Sequence, residues 1–155
     1  MNPSAPDDGL LGAIVRLDLS VTRVLDEIAG RAGLAFADCL VLGVVRRAPG
    51  RRSSPTAIAE VLGRTTGGMS LTLDRLETDG WLRRSRDPDD GRRVVVELTQ
   101  RGLRVATRVN RELHAWESSL DLPRPPADVV AVLDAVTEVI DRRQAEDLDA
   151  LSRLA

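Results

Sequence analysis

Apolar residues recur along the chain at helical spacing, in runs separated by short breaks rich in polar residues, Gly or Pro. The first run, Leu10, Ile14, Leu17, Val21, Val24 and Ile28, alternates steps of four and three. That spacing makes a narrow seam suited to packing against another helix, including one from a second chain. Asp7 or Asp8 is a fair N-cap for it, and Gly30 and Gly33 are expected to end it. A second helix is expected over residues 36–47, where Cys39, Leu40, Leu42, Gly43 and Val44 give a mostly buried character. Residues 48–55 read as a loop closed by Ser54 and Pro55, an N-cap followed by the proline favoured at the first helical position. The third helix, residues 55–62, buries Ile58, Ala59 and Leu62, and Gly63 breaks it. A fourth follows over residues 66–78 with Met69, Leu73 and Leu76 inward, stopped by Asp79 and Gly80. Two short helices joined by a tight Gly-containing turn form a helix-turn-helix pattern.

The period then changes from helical to alternating. Residues 81–86 and 93–98 read as two strands, with Val94 and Val96 facing opposite to Val95 and Glu97. The polar connector 87–92 contains Pro88 and Gly91, which supply turn geometry. A helix pair followed by an arginine-tipped hairpin is a winged helix. Thr99 caps a fifth helix carrying Leu103, Ala106, Val109, Leu113 and Trp116. After a rigid connector, residues 122–126, a sixth helix over 128–154 presents Val129, Leu133, Val136 and Ile140, extended by Leu148 and Leu151. The terminal helices carry more apolar face than one small domain covers, and pairing two chains through those faces resolves the excess.

Length and composition fit one ordinary domain: 155 residues, 43% hydrophobic and 30% charged. The acidic, Pro-containing stretch 1–9 is not a signal peptide, and no apolar run nears the ~18 residues of a membrane span. The expected location is the cytoplasm. One cysteine, Cys39, and one histidine, His114, form neither a disulfide nor a zinc site. So distant a pair makes a weak nucleophile dyad, no phosphate-binding glycine loop is present, and an enzyme is not expected. The net charge of −2 is unevenly sorted. Residues 51–111 hold 13 arginines against 8 acidic residues, while 112–155 hold 4 against 10. A basic middle between acidic ends suits a protein offering one surface to phosphates, the other reading being ordinary solvated helix faces.

Residues 76–84 (LETDGWLRR), 87–93 (DPDDGRR) and 98–102 (LTQRG) occur in the order and at the distances of the recognition-helix end, wing and post-wing helix of the MarR (multiple antibiotic resistance regulator) family. Residues 66–70 (TGGMS) and 74–77 (DRLE) resemble the recognition helix of one branch of it. The resemblance runs from about Leu10 to Leu151. It implies a mainly α fold with a small β-hairpin wing: a winged helix-turn-helix between N- and C-terminal dimerisation helices. The corresponding division is residues 1–34, 35–100 and 101–155, the middle segment binding DNA. The implied partners are double-stranded DNA, a second copy of the chain and a small-molecule effector, with no cofactor and no metal. The implied activity is a ligand-responsive repressor on a pseudo-palindromic operator; a winged-helix protein-interaction module is the alternative.

By that resemblance the fourth helix enters the major groove, which admits one helix. Gly67 and Gly68 let the backbone come close, although a glycine pair also simply loosens a helix start. Thr66 and Ser70 are candidates for phosphate or base edges. Arg75 is expected on a phosphate, or else in a surface pair with Asp79. Arg92 is expected in a narrow minor groove, oriented by Asp90, or else touching only solvent; Arg93, Arg83, Arg84 and Arg86 either add phosphate contacts or are equally well solvated. Leu71 and Thr72 depart from the residues common in that branch, as Gly91 does at the wing tip. Leu71 either meets a thymine methyl or is a tolerated surface leucine. Cys39 is expected to be a packed thiol rather than a peroxide sensor, and His114 and Trp116 to serve packing rather than an effector cavity.

Overall fold

The computed structural model describes residues 9–88 and 90–152. Its elements are α1 (Leu10–Arg31), α2 (Phe36–Arg47), a 3-10 turn (Pro49–Arg51), β1 (Arg52–Ser53), α3 (Pro55–Val61), α4 (Thr66–Thr78), β2 (Leu82–Arg86), β3 (Val94–Leu98), α5 (Gln100–Glu117) and α6 (Pro126–Ser152). The mainly helical winged helix-turn-helix is therefore the observed fold. The helix starts follow local chemistry. The Ser54 hydroxyl oxygen accepts from the Ala57 N–H at 3.1 Å with Pro55 at the first helical position. Thr99 accepts from the Gly102 N–H at 3.0 Å. The α3 and α4 ends close in the same way. Gly63 and Gly80 have φ of +59° and +74°, a region glycine enters without steric cost. The next residues, Arg64 and Trp81, return their N–H to Ala59 and Leu76, each at 2.9 Å.

Several boundaries differ from the sequence reading: α3 ends at Val61, β2 and β3 start at Leu82 and Val94, and α6 starts at Pro126, inside the expected connector. The α1 N-cap is Gly9, Asp7 and Asp8 lying outside the described residues. Gly30 does not end α1, which continues to Arg31. The expected loop 48–55 contains a strand: β1 pairs with β3, Arg52 opposite Glu97 and Ser53 opposite Val96. The sheet order is β1-β3-β2, antiparallel throughout, with Leu82 opposite Leu98 and Arg86 opposite Val94.

The chain divides into two compact units, Met1–Ser118 and Ser119–Ala155. In the first, α2 is the central element, packed by α1, α3, α5 and the sheet. Its Val41, Leu42 and Val45 join Ile28, Ile58, Met69, Leu73, Leu76, Leu82 and Val96 in one fully buried core. Fully burying such side chains contributes about 1.5–3 kcal/mol each. The core thus holds α4 by one face only. Along α1, by contrast, Leu10, Leu11, Val15, Leu17 and Leu19 are exposed within the single chain. In the second unit, α6 shows Val130, Val132, Leu133, Val139 and Ile140 exposed. Leu148 and Leu151 of α6 and the expected end Leu154 lie outside the residues whose side chains are described. No single helix among the described residues is long and apolar enough to cross a membrane.

Candidate nucleic-acid interface

The core decides which face of α4 is free. Met69, Leu73 and Leu76 are fully buried, so Thr66, Gly67, Ser70 and Leu71 lie on the exposed side. Leu71 is 73% exposed, the highest value among the exposed large hydrophobics. Thr65 caps the helix, its hydroxyl oxygen accepting from Gly68 N–H at 3.3 Å. Ser70 donates its hydroxyl proton to the Thr66 carbonyl at 3.1 Å and Thr72 donates to the Gly68 carbonyl at 3.2 Å. Each hydroxyl oxygen still has lone pairs able to accept. The two glycines differ. A Cβ on Gly68 would sit 3.3 Å from the Thr65 cap oxygen, whereas one on Gly67 would meet nothing within 4 Å. Among the described residues nothing packs where a side chain at 67 would stand.

Among the described residues Arg75 forms no ion pair with Asp79. Its guanidinium makes two bonds to Asp38 on α2, Nη2 to Oδ1 at 2.6 Å and Nη1 to Oδ2 at 2.7 Å. Asp38 is 1% exposed, in line with the rule that buried charges are paired. The Arg75 side chain is 53% exposed, so its outer edge still sees solvent. Asp38 raises the Arg75 pKa first through that hydrogen bond and then through its charge, while Asp79 contributes only a distant Coulombic share. Thus α4 is clamped to the central helix by a buried carboxylate, which sequence spacing cannot reveal across 37 positions.

At the wing, Asp90 holds the backbone rather than the tip guanidinium. Its Oδ1 accepts the Arg92 N–H at 3.1 Å, and its Oδ2 pairs with the Arg93 Nε at 3.2 Å. The turn is closed by Arg93 N–H to the Asp90 carbonyl at 2.8 Å and Asp87 N–H to the Arg93 carbonyl at 2.9 Å. The exposed Arg92 guanidinium has no hydrogen-bond or ion-pair partner among the described residues. Arg93 is engaged by Asp90, and Arg86 donates to the Gly91 carbonyl at 3.3 Å.

Two further arginines expected on phosphates are also occupied. Arg84 pairs with Asp74 at 2.6 Å and Glu77 at 2.7 Å, tying β2 to α4. The Arg84 N–H, then its guanidinium, hold the Glu77 carboxyl below its usual range. Glu97 lies between Arg52 on β1 and Arg83 on β2, the latter at 2.7 Å. The two guanidiniums, Arg52 first, likewise depress its pKa. The alternation rule marked Glu97 as facing opposite to Val96, but its double pairing requires β1, which the sequence reading placed in a loop.

A cavity of about 60 Å³ between α2 and α5 is lined by Phe36, Cys39, Gly43, Arg46, Asn110 and Leu113 among others. Arg46 Nη2 donates to Asn110 Oδ1 at 2.9 Å, while its buried Nε has no partner among the described residues. Cys39 is buried there, and burial, then the Asp38 charge, push its thiol up to about 11. Thiols react as thiolates, so this one is poorly placed for peroxide chemistry. Trp116 lines an open cleft with Ile28, Arg31 and Arg108 on α1 and α5; exposed His114 pairs with Glu117 at 3.3 Å.

The MarR family model matches residues 32–93, from the end of α1 to the wing. The chain is 32% identical over 104 residues to the HTH-type transcriptional regulator PecS of Dickeya dadantii (strain 3937), covering 66% of this chain and 63% of that protein. The chain thus spans just under two thirds of that relative. Identity is also 32% over 116 residues to the multiple antibiotic resistance protein MarR of Escherichia coli (strain K12), covering 72% of this chain and 76% of that one. A solved structure of a mutant Escherichia coli MarR complexed with operator DNA matches with a TM-score of 0.67 at 28% identity, covering 84% of this chain and 92% of that chain. With a three-stranded winged helix-turn-helix underlying these matches, the chain belongs to the MarR family of transcriptional regulators.

Proposed function

We propose that the protein is a cytoplasmic, ligand-responsive repressor that binds a pseudo-palindromic operator as a homodimer, with α4 in the major groove and the wing in the adjacent minor groove. The observation that carries this reading is the outer face of α4. A helix anchored by three fully buried side chains and an ion pair to the buried Asp38 carboxylate leaves Thr66, Gly67, Ser70 and Leu71 open. Gly68 supports the start of that face from beside the cap. The similar Escherichia coli MarR is seen with operator DNA, and the same docking here puts Arg92 at the minor groove, with Asp90 and Arg93 shaping the wing. Arg75 then acts through Asp38 by setting the angle of α4.

Dimerisation is supported by the exposed apolar positions of α1 and, separately, of α6. An effector site is supported by the α2–α5 cavity, which has room for a few water-sized groups and a buried Arg46 Nε with no partner among the described residues. The test is selection of duplexes from a random-sequence pool, followed by footprinting. The expected product is a two-fold symmetric site with half-sites about one helical turn apart, protected with a strong salt dependence. A glutamate at Leu17 should lower the mass in sedimentation and the affinity together. A wild-type chain that enriched no sequence and bound no duplex would refute the reading. It would leave a winged-helix protein-interaction module, to which the exposed Leu71 would then belong.

A further inference from the structure

Nine arginines lie between Arg51 and Leu98, and the structure sorts them by whether their charge is already compensated. Arg52 and Arg83 share Glu97, Arg75 holds Asp38, Arg84 holds Asp74 and Glu77, and Arg93 holds Asp90. Arg86 donates to a backbone carbonyl within the wing. Among the described residues this leaves the guanidiniums of Arg51, Arg64 and Arg92 without a partner, all three on exposed residues. Arg51 immediately precedes β1, at the sheet edge opposite β2. α4 packs on β2, at the other edge of the sheet from β1. Arg64, in the turn before α4, and Arg92, in the wing, are therefore the cations near α4 with neither an ion pair nor a hydrogen bond among the described residues, whereas Arg86 is held by a carbonyl.

Resting on the DNA-binding reading above, we infer that Arg64 is a phosphate anchor that sets the position of α4 on the duplex without reading sequence. Its backbone is fixed on both sides. The Arg64 N–H bonds to the Ala59 carbonyl at 2.9 Å, closing α3, and the next residue, Thr65, caps α4. A long cation on so fixed a base is pre-positioned, and it loses no ion pair when it meets a phosphate. Arg83, also exposed, has to share or leave Glu97 first. Phosphate contacts fix register and orientation and carry no sequence information directly.

The test compares wild type, Arg64→Ala, Arg64→Gln, Arg64→Lys and Arg83→Ala on a duplex selected by wild type and on a scrambled duplex of the same length. Affinity is measured across a salt series. Arg64→Ala and Arg64→Gln are expected to reduce the slope of log affinity against log salt by about 0.9, the value for one phosphate contact in B-form DNA. Both duplexes should weaken by the same factor, Arg64→Lys should restore the slope, and Arg83→Ala should leave it unchanged. Either neutral variant suffices, so a folding defect in one still leaves a decision. The inference is overturned if the slope is unaltered in the neutral variants while wild type binds. It is equally overturned if the loss is confined to the selected duplex, or if Arg83→Ala loses as much slope. Wild type binding neither duplex would instead refute the DNA-binding reading itself.

Discussion

Removing either partner of the Asp38–Arg75 pair should have unequal consequences, because the two ends of the bridge sit in different surroundings. Asp38 is 1% exposed and receives both guanidinium bonds, whereas the Arg75 side chain is 53% exposed. Arg75→Ala leaves a buried carboxylate with no counter-charge, a change that costs about 3–5 kcal/mol in fully buried pairs. The solvent-facing arginine side admits water once truncated, which places the expected cost near the lower end, about 3 kcal/mol. Asp38→Ala leaves a guanidinium that is already half in water and re-solvates. Its cost is that of charge-assisted hydrogen bonds discounted for screening, about 1–2 kcal/mol. The double variant should resemble Asp38→Ala rather than the sum, so the coupling in the cycle equals the Arg75→Ala cost, about 3 kcal/mol. For a chain of this size each kcal/mol moves the melting temperature by roughly 2–4 °C. Thermal unfolding of the three variants, at one fixed protomer concentration so that the proposed dimerisation contributes equally, would show the order. Asp38→Ala being as damaging as Arg75→Ala, or the double variant reaching the sum, would refute the buried-carboxylate argument.

Arg92→Ala is expected to weaken operator binding by about 1–3 kcal/mol, as loss of a groove contact does, with an unchanged melting temperature; unchanged affinity at physiological salt would remove Arg92 from the interface. Leu71→Ala should lower discrimination at one symmetric thymine, and uracil at that base should mimic it. An even loss across sequences would instead make Leu71 ordinary surface. Gly102→Ala should destabilise the protein severely, because a Cβ there would lie 1.8 Å from the Trp81 carbonyl oxygen; a melting temperature within error of wild type would contradict that contact. Glu77 and Glu97 have folded pKa values held down by arginines. Their stabilisation is therefore full above the unfolded glutamate value of about 4.3 and is lost as pH falls through the lower folded value. Glu97→Gln should flatten the acid limb of melting temperature against pH, and an acid limb identical to wild type would show that the depressed carboxylate contributes nothing.

The features legible in the sequence are those decided within about one helical turn. The α4 bounds, Thr66–Thr78, follow from the break at Gly63, the stop at Gly80 and the spacing of Met69, Leu73 and Leu76. Ser54 and Thr99 announce their helices because a cap is a contact between neighbours three residues apart. Seven consecutive residues sufficed for the wing turn. What stayed hidden depends on which faces meet. Two residues of β1 show no period at all, and they are a strand only because β3 supplies the hydrogen bonds. Gly30 looked like a stop, but α1 runs past it, since its tail Ile28 and Ala29 is buried in the core and packing outweighs a glycine's helix cost. The charge pattern showed a basic middle without showing which charges were free. Asp38, Glu97 and Asp74 reach their arginines across 37, 14 or 45, and 10 positions, distances over which chain spacing carries no orientation. Tertiary packing alone therefore turned a stretch of arginines into a few bare cations beside α4, because compensation of a charge is a property of the space around it and not of its neighbours in sequence.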